Sequence, residues 1–180
     1  TPLTVCEGTQ VDLAARVSDN NSLGGTLTYH ASLADADNPL TDIGASQTPV
    51  GTTTYYIRSE TTDGCFDIEA VTITVVPVPM ASNGALSLCS AFPGLTFASF
   101  NLPDADSQVD PTGNYVVTYH FNQNGADTDG PPVASPFMSI DGVTLYARVE
   151  NGTSGCYDVS TVLLSVTQPP ASNLGALSVC

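Results

Sequence analysis

An all-β protein built from two tandem sandwich modules is the fold the sequence predicts. Three observations carry it: an internal repeat of about 90 residues, period-2 hydrophobic alternation, and a composition poor in helix formers.

The repeat is read by self-comparison. Ala81-Ser82-Asn83-Gly84-Ala85-Leu86-Ser87-Leu88-Cys89 returns as Ala171-Ser172-Asn173-Leu174-Gly175-Ala176-Leu177-Ser178-Val179-Cys180, with one insertion. Thr28-Tyr29-His30 matches Thr118-Tyr119-His120 and Tyr56-Ile57-Arg58-Ser59-Glu60 matches Tyr146-Ala147-Arg148-Val149-Glu150, both at an offset of 90. Gly64-Cys65-Phe66-Asp67 matches Gly155-Cys156-Tyr157-Asp158 at 91. The predicted domains are residues 1–79, residues 80–170 and, at 171–180, the start of a third repeat. The junctions Pro77-Val78-Pro79 and Pro169-Pro170 fix φ and favour extended backbone, so stiff spacers are expected.

Alternation marks the strands. Val71, Ile73 and Val75 alternate with Thr72 and Thr74, and Val162, Leu164 and Val166 repeat the pattern. Val143, Leu145, Ala147 and Val149 alternate with polar or charged neighbours, as do Val117, Tyr119 and Phe121. Asp63-Gly64 and Asn124-Gly125 read as turns, and no segment carries a helical pattern. Composition agrees: Thr and Ser number 39 together, and of the 18 acids 14 are Asp, a turn former. Short strands at this spacing predict Ig-like sandwiches of about seven strands each.

Charge excludes several functions. Three arginines (Arg16, Arg58, Arg148) face 18 acids, there is no lysine, and the formal charge is −15. A nucleic-acid binder needs a basic patch to neutralise phosphates, and an anionic membrane asks for the same. No apolar run approaches the roughly 18–20 residues that span a bilayer. The chain begins with Thr and shows no signal peptide, which suggests a mature or internal piece.

The five cysteines fall as Cys6 and Cys65, Cys89 and Cys156, and Cys180. Pairing inside each module joins Cys6 to Cys65 and Cys89 to Cys156, leaving Cys180 unpaired in this chain as the first cysteine of a third module. The alternative pairs Cys65 with Cys89 and staples neighbouring modules. Zinc competes with both, but no CxxC or His-bearing ligand spacing is present. Disulfides imply an oxidising compartment.

The motifs Cys6-Glu7-Gly8-Thr9, Thr28-Tyr29-His30, Asp35-Ala36-Asp37-Asn38-Pro39, Tyr56-Ile57-Arg58-Ser59-Glu60, Gly64-Cys65 and Val76-Pro77-Val78-Pro79 carry a family likeness. Together they resemble the Ig-like tandem repeats of very large Bacteroidota surface proteins, the group that includes SprB-like gliding-motility adhesins exported by type IX secretion. The resemblance covers both modules and implies a secreted, surface-attached stalk. It implies no catalytic residues.

Two constellations are candidate sites. Asp35 and Asp37 align at an offset of 92 with Asp127 and Asp129, and Asp104, Asp106 and Asp110 form a second cluster. Alternate carboxylates on a loop can converge on calcium, which takes six to eight oxygens; solvated turns are the plainer explanation. The second constellation is a sheet face. Inward Tyr29 and Tyr119 place His30 and His120 outward, beside Tyr56 and Arg58, and Tyr146 and Arg148. That stripe fits a polysaccharide or partner surface, or else a ladder that only stabilises the sheet. One histidine per module, without a G-x-S-x-G context, argues against a hydrolase. Asn20-Asn21-Ser22 and Asn151-Gly152-Thr153 match the eukaryotic glycosylation pattern by chance.

The expected function is therefore a non-catalytic extracellular repeat region, the stiff stalk of a bacterial surface adhesin. The alternative is a structural subunit of a filament or surface layer. Partners in either case are neighbouring repeats or like chains, with polysaccharide as a weaker option.

Overall fold

Which side of each strand is buried follows from the alternation, and the two cores follow from that. In the computed structural model, which describes residues 3–17 and 25–170, the chain divides into two compact units, Thr1–Val78 and Pro79–Cys180. Cys180, the start of a third repeat and Asn20-Asn21-Ser22 lie outside the described residues.

The first unit runs β1 (Leu3–Cys6), β2 (Val11–Asp12), a 3-10 turn (Ala14–Arg16), β3 (Thr26–His30), α1 (Leu33–Asp37), β4 (Ser46–Gln47), β5 (Thr53–Glu60) and β6 (Phe66–Val76). Its strands form a sheet ordered β1-β6-β5-β3 and a two-stranded sheet β2-β4. The second unit repeats this with β7 (Gly84–Cys89), β8 (Phe97–Phe100), a 3-10 turn (Leu102–Ala105), α2 (Asp106–Val109), β9 (Val116–His120), α3 (Gln123–Asp127), β10 (Phe137–Ile140), β11 (Val143–Glu150) and β12 (Tyr157–Thr167). Its sheets are ordered β7-β12-β11-β9 and β10-β8. Each unit is an Ig-like sandwich, with six strands among the described residues rather than about seven.

Pairing is antiparallel except at one edge. There the first strand runs parallel to the last, Leu3 opposite Ile73 and Cys6 opposite Val76, and in the second unit Gly84 opposite Val162 and Cys89 opposite Thr167. The first core gathers Val11, Leu13, Tyr29, Tyr55, Ile57, Val71 and Ile73. The second gathers Phe100, Leu102, Val109, Tyr119, Leu145, Val149, Val162 and Leu164 among others.

Three local expectations are corrected. Among the described residues three short helices stand where none was expected, because each is about one turn long and too short to show a period. Two of them, α1 and α3, are marked by caps: the Ser32 hydroxyl accepts from Asp35 N–H at 3.2 Å, and Asn122 Oδ1 from Gly125 N–H at 2.8 Å, whereas α2 has no side-chain cap. Asn124-Gly125 accordingly sits inside α3 and is not a hairpin turn. Phe121 does not extend the buried alternation, since β9 ends at His120 and the ring is exposed, edge-on to Phe137 at 5.7 Å.

Two buried polar groups of the second unit, Tyr119 and Asp110, find partners near the core. Tyr119 Oη donates to Asp106 at 2.6 Å, and burial together with that carboxylate pushes the phenol well above its ordinary value. Asp110 organises the turn before β9, accepting from the Thr112 hydroxyl at 2.6 Å and from the Thr112 and Tyr115 amides at 3.0 Å each. Burial pushes its carboxyl upward, but these donors prevail and hold it below 3.8.

Leu145→Ala, at a fully buried position, is expected to cost about 2–5 kcal/mol in chemical denaturation. Asp110→Ala orphans two backbone donors and should cost about 1–3 kcal/mol at neutral pH. Because the folded carboxyl lies below 3.8, its contribution is present above that pH and fades as pH falls further. Melting curves of wild type and Asp110→Ala should therefore converge below pH 3.8.

Candidate functional site

The proposed ligand face starts from strand register. His30 stands opposite Tyr56 and Thr28 opposite Arg58; in the second unit His120 stands opposite Tyr146 and Thr118 opposite Arg148. These side chains share the face away from the core, yet the histidines and arginines are not open to solvent, and Tyr56 and Tyr146 are half-buried. Exposure is 0% for His30, 1% for His120, 5% for Arg58 and 6% for Arg148. The reason is α1, which packs on β3 and β5, and α3, which packs on β9 and β11. An accessible sugar-binding stripe is thus corrected to a covered polar layer.

Each arginine clamps its helix. Arg58 Nη1 donates to the carbonyls of Ala36 at 3.0 Å and Asp37 at 3.2 Å, while Nε donates to Glu60 at 3.0 Å. Arg148 Nη1 donates to Ala126 at 2.8 Å and Asp127 at 3.4 Å, and Nε to Glu150 at 2.6 Å. The last carbonyls of a helix lack intrahelical partners and carry partial negative charge, so a guanidinium satisfies both needs. The other side of each guanidinium covers an aromatic ring, Phe66 at 3.4 Å and Tyr157 at 3.5 Å.

These contacts also correct the alignment of the acidic loops. Ala36 and Asp37 correspond to Ala126 and Asp127 at an offset of 90, so Asp35 corresponds to Gly125, not to Asp127. The carboxylates are turned to separate tasks. Asp35 accepts from His30 Nδ1 at 3.3 Å and from the Leu40 and Thr41 amides at 3.1 and 3.2 Å. Asp127 accepts from Gln123, Asp104 from Asn101, and Asp106 from Tyr119. Asp37 and Asp129 are exposed, and Asp129 has a positive φ of 50°. Among the described residues no three His, Cys, Asp or Glu side chains are grouped as a metal site. Calcium therefore has no convergent oxygen cluster in Asp35, Asp37, Asp104, Asp106, Asp110, Asp127 and Asp129. An open depression of about 290 Å³ is lined by Thr26, Thr28, Glu60, Thr61 and Thr62, and Glu60 is already paired with Arg58. Asn151 caps its own loop, accepting from the Thr153 and Ser154 amides.

The cysteines are placed by the parallel edge strand. Cys6 sits opposite Val76, at the end of β6, whereas Cys65 precedes the start of β6 and lies eleven residues before Val76. At roughly 3.3 Å per residue the two are about 36 Å apart, far beyond the roughly 7 Å Cα limit for a disulfide. The same holds for Cys89, opposite Thr167, and Cys156, just before β12. Pairing within a module is corrected: Cys6 and Cys156 are disulfide-bonded, while Cys65 and Cys89 are exposed free thiols. A cysteine ending the first strand and another preceding the last strand are separated by the last strand's full length because those strands run parallel, a direction that the sheet supplies and the sequence does not.

Solved structures similar in fold include the insect immune protein hemolin (14% identity, TM-score 0.35, 92% of this chain and 45% of that one). Titin I-band fragment I67–I69 follows (8%, 0.33, 94% and 62%), with Sidekick-1 immunoglobulin domains 1–4 (11%, 0.27, 94% and 50%). The chain spans about half to three-fifths of the length of these proteins. Among curated protein sequences none matches it. A family model, the Flavobacterium inter-domain disulphide bond domain, matches residues 2–79 and again residues 85–170. With both modules matched almost end to end, the chain belongs to the Flavobacterium inter-domain disulphide bond domain family, as two tandem copies.

Proposed function

We propose that the chain is a segment of a non-catalytic extracellular stalk whose modules are stapled covalently in series, Cys6 of the first module to Cys156 of the second. The observation that carries this reading is the placement of two cysteines at opposite poles of each sandwich. Chain continuity leads from the pole of Cys6, where β6 ends at Val76, through Pro77 into the second module. That module is entered at the pole of Cys156, where Ala81 N–H donates to Asp158 at 3.0 Å. Both cysteines are disulfide-bonded, and the family takes its name from an inter-domain bond. The rule joins the first cysteine of one module to the second cysteine of the next, so the Cys65–Cys89 pairing gives way to it. Within a longer array Cys89 would be taken by a following module and Cys65 by a preceding one.

The buried polar layer over each sheet supports a scaffold rather than a receptor, since its arginines are spent holding the helices. Disulfides favour an oxidising compartment, which supports a location at the cell surface. Export by the type IX route and a role in adhesion or gliding rest on the likeness of the motifs to Bacteroidota surface repeats. One observation favours the structural-subunit reading: free thiols at opposite poles, Cys65 and Cys89, would let separate chains join end to end.

Peptide mapping of the unreduced protein should yield a Cys6–Cys156 cross-linked pair, with Cys65 and Cys89 alkylated. A Cys6–Cys65 or Cys89–Cys156 peptide would sink the proposal. Cys6→Ser should leave both modules folded by near-ultraviolet dichroism, because neither core includes the cysteine, while broadening the inter-module distances seen in small-angle scattering. Sizing under oxidising conditions separates the two readings. A ladder that collapses on reduction supports end-to-end polymerisation; a single species supports the stalk.

A further inference from the structure

The two modules differ at one buried point. In the first, His30 is satisfied at both ring nitrogens: Nε2 by the Thr28 hydroxyl at 2.9 Å and Nδ1 by the Asp35 carboxylate at 3.3 Å. In the second, His120 Nε2 meets the Thr118 hydroxyl at 3.0 Å, and Nδ1 is buried with no hydrogen-bond partner. The cause lies in α3 and the loop behind it. Gly125 stands where Asp35 stands, and Pro131, which has no N–H, stands where Thr41 donates to that carboxylate. The amide of Gly130, equivalent to Leu40, turns instead to the Gly125 carbonyl at 2.8 Å. A whole carboxylate anchor has been removed while the histidine beneath it remains.

We infer that the second module carries an acid-sensitive latch that the first module lacks: protonation of His120 loosens α3 and the loop behind it from the sheet. An imidazolium donates from both nitrogens and needs an acceptor at each, and burial without one penalises the charged form. The charged and titratable groups around it do not supply one. Arg148 and Tyr146 face it from β11, Arg148 being cationic and paired with Glu150. Asp127, on α3, is engaged by Gln123, and Asp129 follows α3 in the loop behind it. Burial lowers the His120 pKa below 6.5, Asp129 pulling it up and Arg148 pushing it down. The sign follows: the unfolded or opened state binds the proton more tightly, so stability is whole above 6.5 and falls as pH drops through it. In the first module Asp35 is held below 3.8 through the donors that include His30, so this carboxylate stays charged across the same range.

The test is hydrogen exchange of the full chain, read as protection factors at pH 7.5 and pH 5. Helix amides of Ala126 and Thr128 should lose protection on acidification, by up to about tenfold per pH unit for one proton taken up. The matching amides of Ala36 and Asn38 should hold. Gly125→Asp should abolish the difference: the added Cβ meets nothing closer than 3.5 Å, and Gly125 does not have a positive φ. Asp35→Gly should transfer the sensitivity to the first module. Equal loss of protection in both modules, or an unchanged pH response in both variants, would overturn the inference.

Discussion

Everything distinctive in this chain depends on one register, the parallel pairing of the first strand with the last. In both modules it sets Cys6 against Val76 and Cys89 against Thr167, and so carries one cysteine to the pole opposite the other. Had the first strand run antiparallel, its terminal cysteine would lie nearer the start of the last strand and a bridge inside the sandwich would be within reach. The direction of a single edge strand thus decides whether covalent chemistry serves the module or the array.

The second organising element is the arginine clamp. One side chain binds the end of a five-residue helix, an acidic neighbour on its own strand and an aromatic ring on the next. A helix this short cannot stand alone, since helix nucleation is costly and few bonds repay it. The guanidinium replaces the missing turns, and the same arrangement recurs around Arg148 although Phe66 has become Tyr157. What covers the histidine face is therefore held by three kinds of contact at once.

Strands and module count were legible because both are periodic: Val71, Ile73 and Val75 announce a half-buried strand without help from any other part of the chain. Layer composition was not, because the helices that bury His30 and His120 are single turns marked only by Ser32 and Asn122. The outward direction of the histidines was readable from Tyr29 and Tyr119; that something lay over them was not. Disulfide connectivity failed for a related reason. Sequence distance between Cys6 and Cys65 says nothing about spatial distance until strand direction is known, and direction is a property of the sheet rather than of the strand. The acidic loops misaligned by two residues because Asp recurs there, while the contacts of Arg58 and Arg148 fix the correspondence through backbone carbonyls.

With the proposed staple in place, mechanical load takes an unusual route through the polypeptide. Tension passing from Cys6 to Cys156 enters the second module directly before β12 and leaves along that strand, which is already extended over Tyr157–Thr167. The rest of the sandwich, including residues 90–155, hangs off the loaded path. A pulled module then has almost no slack to release: its contour between staple and exit is nearly used up while it is still folded. Such a chain would resist stretching through its covalent wiring, with the force carried along β12 and not through residues 90–155.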